Sequence, residues 1–342
     1  GYLMPLRPSS YIGVHEHVGG LVEISLQSVM RASFFLAEAF HDLHLRGLCY
    51  KDISLMNLFL EPSSGRILIC DNDNVAIDGR DPGSVLGTPG FMAPEVLLRQ
   101  ARPGANSDLF SLAVLIFRML TRHDPLLGRM ELAIRCLDEP ARRRLYGDDP
   151  VFIFDPEDDR NRPDPDAHSA ALVTWPIYPA PLQALFLQTF GVGLRAPERR
   201  ALTGQWKQVL ARTLDQRRLC PHCGQETFAD PAAPGPCWNC GAEPGPGLAL
   251  QLPHGLVQAT AGNDLHPHHF DNLRPQELGS PLAQLVSHPG RPDLLGLRNL
   301  DQHPWQAHLR SGEILSVVPG QACNLAPLTR IETPAGSITL LR

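Results

Sequence analysis

Three side chains in this sequence could do chemistry together: Asp52, Asn57 and Asp71. The first two stand in Tyr50-Lys51-Asp52-Ile53-Ser54-Leu55-Met56-Asn57, and Asp71 follows the apolar stretch Ile67-Leu68-Ile69-Cys70. A carboxylate can orient an attacking hydroxyl and take its proton. A carboxamide and a second carboxylate offer hard oxygen donors to a divalent cation. Phosphoryl transfer needs these groups. Each signal alone is ordinary, since a single Asp at a strand end is usually a turn or cap residue. Their order carries the weight, with two further segments behind them: Gly87-Thr88 leading to Ala93-Pro94-Glu95, and Asp108 at the head of an apolar run.

The set resembles the catalytic half of a eukaryotic-type protein kinase, whose catalytic loop reads His-Arg-Asp-x-x-x-x-Asn. The resemblance implies that Asp52 is the catalytic aspartate and that Asn57 and Asp71 hold magnesium on the phosphates of ATP. Ser54 stands at the position where serine/threonine kinases usually carry a phosphate-contacting Lys, and a hydroxyl there brings no positive charge. Asn72-Asp73 replaces Phe-Gly after Asp71, so the usual switching of that motif is not expected. Residues 85–91 would position the acceptor peptide, with Ser84 and Thr88 as available hydroxyls and Thr88 in a positioning role near Asp52. Glu95 would form a buried ion pair with Arg200. Asp108 would cap the central helix and brace the catalytic loop. Residues 1–6 resemble the hinge between kinase lobes, with Met4 near the gatekeeper position. Phe59 is either part of the floor under adenine or an ordinary strand residue. The N-terminal lobe, with its Gly-rich loop, strand Lys and partner Glu, is expected to be absent, and the chain to bind nucleotide poorly.

The elements needed to position these groups are legible. Residues 28–46 carry a wide apolar face of Phe34, Phe35, Leu36, Phe40 and Leu43 at helical spacing, stopped by Gly47. A hairpin over residues 58–60 and 66–70, turned by Glu61-Pro62-Ser63-Ser64-Gly65, would bring Asn57 and Asp71 to neighbouring ends. Residues 109–120 are apolar on nearly all sides, as in a buried helix. Residues 155–166 are acidic and proline-rich and read as a solvated loop. Helices are expected over 181–190 and 203–214, the second capped by Thr203. A mainly α unit, the kinase C-terminal lobe, is expected over residues 1–216.

Cys220-Pro221-His222-Cys223-Gly224 and Cys237-Trp238-Asn239-Cys240-Gly241 form two Cys-x-x-Cys-Gly knuckles. They resemble a zinc ribbon over 217–245, in which four thiolates close a structural zinc site. A redox role is the weaker alternative, because there are two pairs. The intervening residues 229–236 are too proline-rich for much strand. Short alternating segments at 256–259, 282–286, 305–309, 314–318 and 338–341 read as a small β-sandwich over 246–342, loosely similar to a forkhead-associated domain. The phosphothreonine-reading Arg and Ser of that family are not evident. His266, His268 and His269 read as a polar loop rather than a metal site. Cys49 and Cys70 read as inert core thiols.

The order of kinase lobe, zinc ribbon and β domain is similar to bacterial serine/threonine kinases of tellurium-resistance and stress-response systems. That resemblance implies a protein substrate, with a von Willebrand A-type protein and a metal-dependent phosphatase as companions. The formal net charge of −6 gives no pull toward nucleic acid. The absence of a membrane-length apolar run and the cysteine usage fit a cytoplasmic protein. The rival reading is a pseudokinase scaffold, favoured by Ser54 and Asn72, whereas the Asp52–Asn57–Asp71 trio favours an enzyme.

Overall fold

The computed structural model describes residues 6–80, 87–228, 235–243, 245 and 247–342. The chain divides into two compact units, Gly1–Leu210 and Ala211–Arg342. Among the described residues, no helix is long and apolar enough to cross a membrane.

The first unit is built on two helices. Leu26–Leu45 starts where Ser25 accepts a hydrogen bond from the Ser28 N–H at 3.1 Å, an N-cap that satisfies one otherwise orphaned donor. Its buried face runs through Val29, Met30, Phe34, Leu36, Ala37 and Phe40. Gly47, at φ 68°, then turns the chain into the catalytic loop. The expected hairpin forms between Leu58–Leu60 and Ile67–Ile69, with Leu58 opposite Ile69 and Leu60 opposite Ile67. Its turn needs Gly65. The backbone there is left-handed (φ 71°), and a Cβ would lie 2.6 Å from both Ser28 O and Arg31 Cβ, so the turn rests directly on the first helix.

The second helix, Ala105–Thr121, is buried around most of its circumference. Its Phe117 packs edge-on against Phe152 and Phe186, with ring centroids 5.6 and 5.2 Å apart. Burying each such ring contributes about 1.5–3 kcal/mol. This cluster holds the helix, and with it Asp108, in place.

Three sequence expectations need correcting in this unit: the acidic segment, Thr203, and the capping role of Asp108, which falls to other residues at the site. The acidic segment 155–166 is not simply solvated. Asn161 is fully buried, donates from Nδ2 to Leu126 O (2.9 Å) and Val151 O (2.7 Å), and accepts from Met130 N–H (3.1 Å). One carboxamide with three backbone partners pins the loop from inside. Thr203 is not the cap before its helix but the first residue of Thr203–Asp215. Its hydroxyl lies 3.0 Å from His41 Nδ1, and Gln205 Oε1 accepts from the Leu202 N–H instead.

The second unit holds two antiparallel sheets around one core. One sheet has the order Asp264–Leu265, Ala283–His288, Arg291–Asn299, Ala322–Asn324. The other runs Ile314–Val317, Trp305–Leu309, Leu328–Thr333, Gly336–Leu341, Ala249–Leu252, Gly255–Gln258. Leu285 and Leu297 from the first meet Leu250, Val257, Trp305, Ile331 and Ile338 from the second. A separate hairpin, Arg217–Leu219 with Glu226–Phe228, carries the first cysteine knuckle.

Candidate active site and cysteine cluster

Asp108 organises the catalytic loop. It is 1% exposed, and its carboxylate accepts from Tyr50 N–H (2.7 Å) and Lys51 N–H (3.0 Å). His44 Nε2 lies 3.2 Å from the same carboxylate. Asp108 therefore braces the loop but does not cap its helix. The helix begins three residues earlier, where Ser107 Oγ accepts from the Gly104 N–H at 2.9 Å and Asp78 accepts from the Ala105 N–H at 3.0 Å. The carboxylate is thereby free to hold Lys51 in a left-handed conformation, φ 66°.

The loop, the hairpin and the following turn converge on the Tyr50 hydroxyl. Tyr50 Oη donates to Cys70 O (2.6 Å) and Asp71 O (2.9 Å). Burial first, then the charges of Asp71 and Asp52, push its phenol well above the usual range, while a hydrogen bond with Asn57 acts the other way. The Tyr50 phenol thus feels the charges of both Asp52 and Asp71 and a hydrogen bond with Asn57. The Cys70 N–H also donates to Asn57 O at 2.8 Å, tying Asn57 to the residue before Asp71. Asp71 takes φ 61°, ψ 60° ahead of the single turn Asn72–Asn74. Of the four non-glycine residues with positive φ among the described residues, two, Lys51 and Asp71, belong to this site. Such strained positions persist where the surroundings over-determine them.

Thr88 Oγ1 donates to Asp52 Oδ1 at 2.5 Å, and Asn74 Nδ2 lies 3.5 Å from Oδ2. The segment that begins at Gly87 is thereby anchored on the Asp52 carboxylate. Ser54 is 6% exposed. Phe59, on the half-buried face of its strand, carries the Arg7 guanidinium 4.5 Å above its ring. Arg200 is 1% exposed and makes a two-pronged pair with Glu95 (Nη1–Oε1 2.8 Å, Nη2–Oε2 2.7 Å). It also donates to Gly193 O and Asn106 O, each at 2.9 Å. Cys49 is fully buried, and burial pushes its thiol up to about 11, so it is unreactive. Met4, Ser84, residues 85 and 86 of the acceptor segment, and residues 229–234 between the knuckles lie outside the described residues.

Tyr50 and His44 carried no role in the sequence reading. Tyr50 sits inside the Tyr50-Lys51-Asp52 motif, which is the signal that could have flagged it. His44 becomes relevant only once the fold brings it to Asp108.

In the second unit, the sulfurs of Cys220, Cys223, Cys237 and Cys240 all lie within 4.8 Å of one another. Cys220–Cys240 and Cys223–Cys237 are each 3.7 Å apart. A tetrahedral ion with Zn–S of about 2.3 Å separates its sulfurs by about 3.8 Å, so the spacing fits. Gly224 and Gly241 take φ 74° and 69°, and their N–H groups donate back to Cys220 O and Cys237 O. Backbone N–H groups of Cys223 and His222 lower the Cys220 thiol. That of Gln225, helped by Asn239, lowers Cys223 to about 6. Against the backbone N–H of Ala242, burial and the three neighbouring sulfurs push Cys240 up to about 12, so the thiols respond in opposite directions, and a bound cation would offset their mutual repulsion.

The structure also gathers Asp215, His268 and His269. Here the His269 Nδ1 accepts from the His266 N–H at 2.9 Å, which leaves the proton on Nε2, facing Asp215 Oδ1 at 3.1 Å. A hydrogen bond between imidazole and carboxylate accounts for that pair.

Residues 15–151 match the family profile of the protein kinase domain. That stretch holds Asp52, Asn57, Asp71, Glu95 and Asp108; Arg200 and the four clustered cysteines lie beyond it. The chain is 35% identical over 116 residues to CBL-interacting protein kinase 4 of Oryza sativa subsp. japonica, covering 32% of this chain and 25% of that protein. It is 38% identical over 80 residues to serine/threonine-protein kinase SRK2I of Arabidopsis thaliana, 22% of each chain. It is 32% identical over 134 residues to protein kinase C-like 1 of Saccharomyces cerevisiae, 37% of this chain and 11% of the other. The chain thus contains a stretch similar to the protein kinase domain of eukaryotic-type serine/threonine kinases. It spans about a quarter or less of the length of these relatives.

Proposed function

We propose that this chain carries the catalytic machinery of a serine/threonine protein kinase, which transfers the ATP γ-phosphate to a protein hydroxyl. The carrying observation is the way the Tyr50 hydroxyl and the Cys70 N–H to Asn57 O bond tie the loop that holds Asp52 and Asn57 to the backbone at Asp71. Asp52, held at one oxygen by Thr88, orients the acceptor hydroxyl and takes its proton. Asn57 and Asp71 offer oxygen donors, the type magnesium prefers. Magnesium-ATP, when bound there, supplies the phosphoryl group and the neutralising charge. Residues 87–91 position the acceptor. The reading expects transfer from labelled ATP by the full natural protein to drop to background in Asp71→Ala. Equal signal in the two proteins rejects it.

A pseudokinase scaffold is the second reading, and one feature favours it: Ser54 is buried and uncharged at the position of the usual Lys. The same transfer assay separates the two.

The four cysteines are read as a structural zinc site within a ribbon over residues 217–245, between a kinase lobe ending near 216 and a β domain over 246–342. Metal analysis of protein purified without chelator should find about one zinc per chain, and Cys223→Ser should bring it near zero. Zinc retained in that variant removes Cys223 from the site. The likeness of the last unit to a forkhead-associated domain, the bacterial tellurium-resistance type, and companionship with a von Willebrand A-type protein and a metal-dependent phosphatase belong to the same proposal. The first rests on Leu295-Gly296-Leu297-Arg298-Asn299-Leu300 followed by Val318-Pro319-Gly320, the others on domain order.

A further inference from the structure

A cavity of about 180 Å³ opens beside the acceptor segment, with Pro89, Gly90 and Met92 on one wall. Leu97, Leu137 and Tyr146 make its apolar surface. The two charged side chains that line it, Arg118 and Arg142, are both arginines.

The two differ in what they offer. Arg118 is part of the frame. Its Nη2 donates to Gly90 O at 3.1 Å and to Asp124, and its guanidinium lies 4.3 Å over the Phe91 ring. Asp124 also accepts from Tyr146 Oη (3.0 Å) and Leu126 N–H (2.8 Å), so both of its oxygens are engaged. The charge of Arg118 is therefore largely balanced, yet its Nε is buried with no hydrogen-bond partner. Arg142 is exposed, and its Nε donates to Leu137 O at 3.0 Å. Among the described residues, no carboxylate forms an ion pair with it. The pocket thus has an apolar body, one arginine already committed to the frame and one uncompensated positive charge.

We propose that this cavity receives an anionic side chain of the acceptor peptide, so that the protein selects Ser/Thr sites flanked by an acidic or phosphorylated residue. The occupant is a peptide because the cavity shares Pro89 and Gly90 with the segment that positions the acceptor. In this it rests on the kinase reading. The sign of the occupant comes from Arg142 alone and does not depend on catalysis. The guanidinium fork suits carboxylate and phosphate alike.

Fluorescence anisotropy with the chain as it stands tests the proposal. The probes are labelled Ser-containing peptides with Glu, phosphoserine, Gln or Lys placed in turn at each position flanking the acceptor. At one position the Glu peptide should bind about tenfold tighter than the Gln peptide, the equivalent of about 1.4 kcal/mol, and the Lys peptide weakest. Arg142→Glu should abolish or invert the preference, and Arg142→Lys should keep most of it; Arg142 is exposed, so both variants should fold. A phosphoserine peptide that binds tighter still would make a primed site the natural ligand, and Glu equal to phosphoserine would make it a carboxylate. Equal binding of Glu and Gln peptides at every position, no binding of any peptide, or a preference that survives Arg142→Glu overturns the inference. Selective binding by the chain, with no phosphoryl transfer by the full natural protein, would count against the kinase reading and support the pocket.

Discussion

Replacing Asp52 by Asn is expected to lower kcat for phosphoryl transfer by about 10²–10⁴-fold, the usual contribution of a general base. The substitution keeps size and shape, and the remaining carboxamide oxygen can still accept from Thr88, so the loop should hold its conformation. What it removes is the capacity to take a proton from the acceptor hydroxyl. That capacity matters in the transition state and not in the bound ground state. The variant should therefore lose kcat and kcat/KM in parallel, with KM for peptide and ATP near the parent values. Steady-state kinetics check this. A variant that raises KM while keeping kcat would make Asp52 a binding group and would move the base elsewhere.

The second large effect concerns stability. Arg200 is buried beneath Glu95, and its guanidinium makes four hydrogen bonds, two to the carboxylate and two to backbone carbonyls. Arg200→Ala strands the Glu95 carboxylate, which is only 14% exposed, and leaves Gly193 O and Asn106 O short of a donor. Breaking a buried pair on one side costs about 3–5 kcal/mol, a large share of the about 5–15 kcal/mol that holds a typical domain together. Urea denaturation followed by fluorescence of Trp206, packed 4.9 Å from Phe186 in the same unit, should show a lower midpoint and an unfolding free energy reduced by that amount. Arg200→Lys should recover little, because an ammonium cannot span both carboxylate oxygens and both carbonyls. A loss below about 1 kcal/mol in Arg200→Ala would mean the pair is not what holds this corner of the fold.

Much of the first unit was legible because its signals are local and periodic. The long helix before the catalytic loop, the hairpin around Gly65 and the apolar central helix follow from side-chain spacing and turn residues. Asn161 was not legible: nothing in an acidic, proline-rich run distinguishes the one carboxamide that the fold buries. The separation of Asp108 from the cap of its helix was missed for a related reason, since the sequence shows that a helix starts near Ser107 but not which acid the catalytic loop claims. In the second unit, five strands were placed from their alternation. Arg291–Asn299 and Leu328–Thr333 escaped notice. The first contains Leu294-Leu295-Gly296-Leu297, which does not alternate, and in the second a register shift buries both Leu328 and Ile331, three apart, so neither shows a clean period of two. The cysteine knuckles were read from spacing alone, because two thiolates on each tight Cys-x-x-Cys turn leave little freedom in where the sulfurs point. The arginine-lined cavity could not be read at all, for Gly90, Arg118 and Arg142 come together only through the fold.

The most direct test of the account is a crystal structure of the protein with magnesium and a non-hydrolysable ATP analogue. The account predicts a magnesium ion about 2.1 Å from an Asn57 oxygen and an Asp71 oxygen, with the Asp52 carboxylate facing the terminal phosphate. A nucleotide bound with its phosphates away from these three side chains, or a metal held without Asn57 and Asp71, would contradict it.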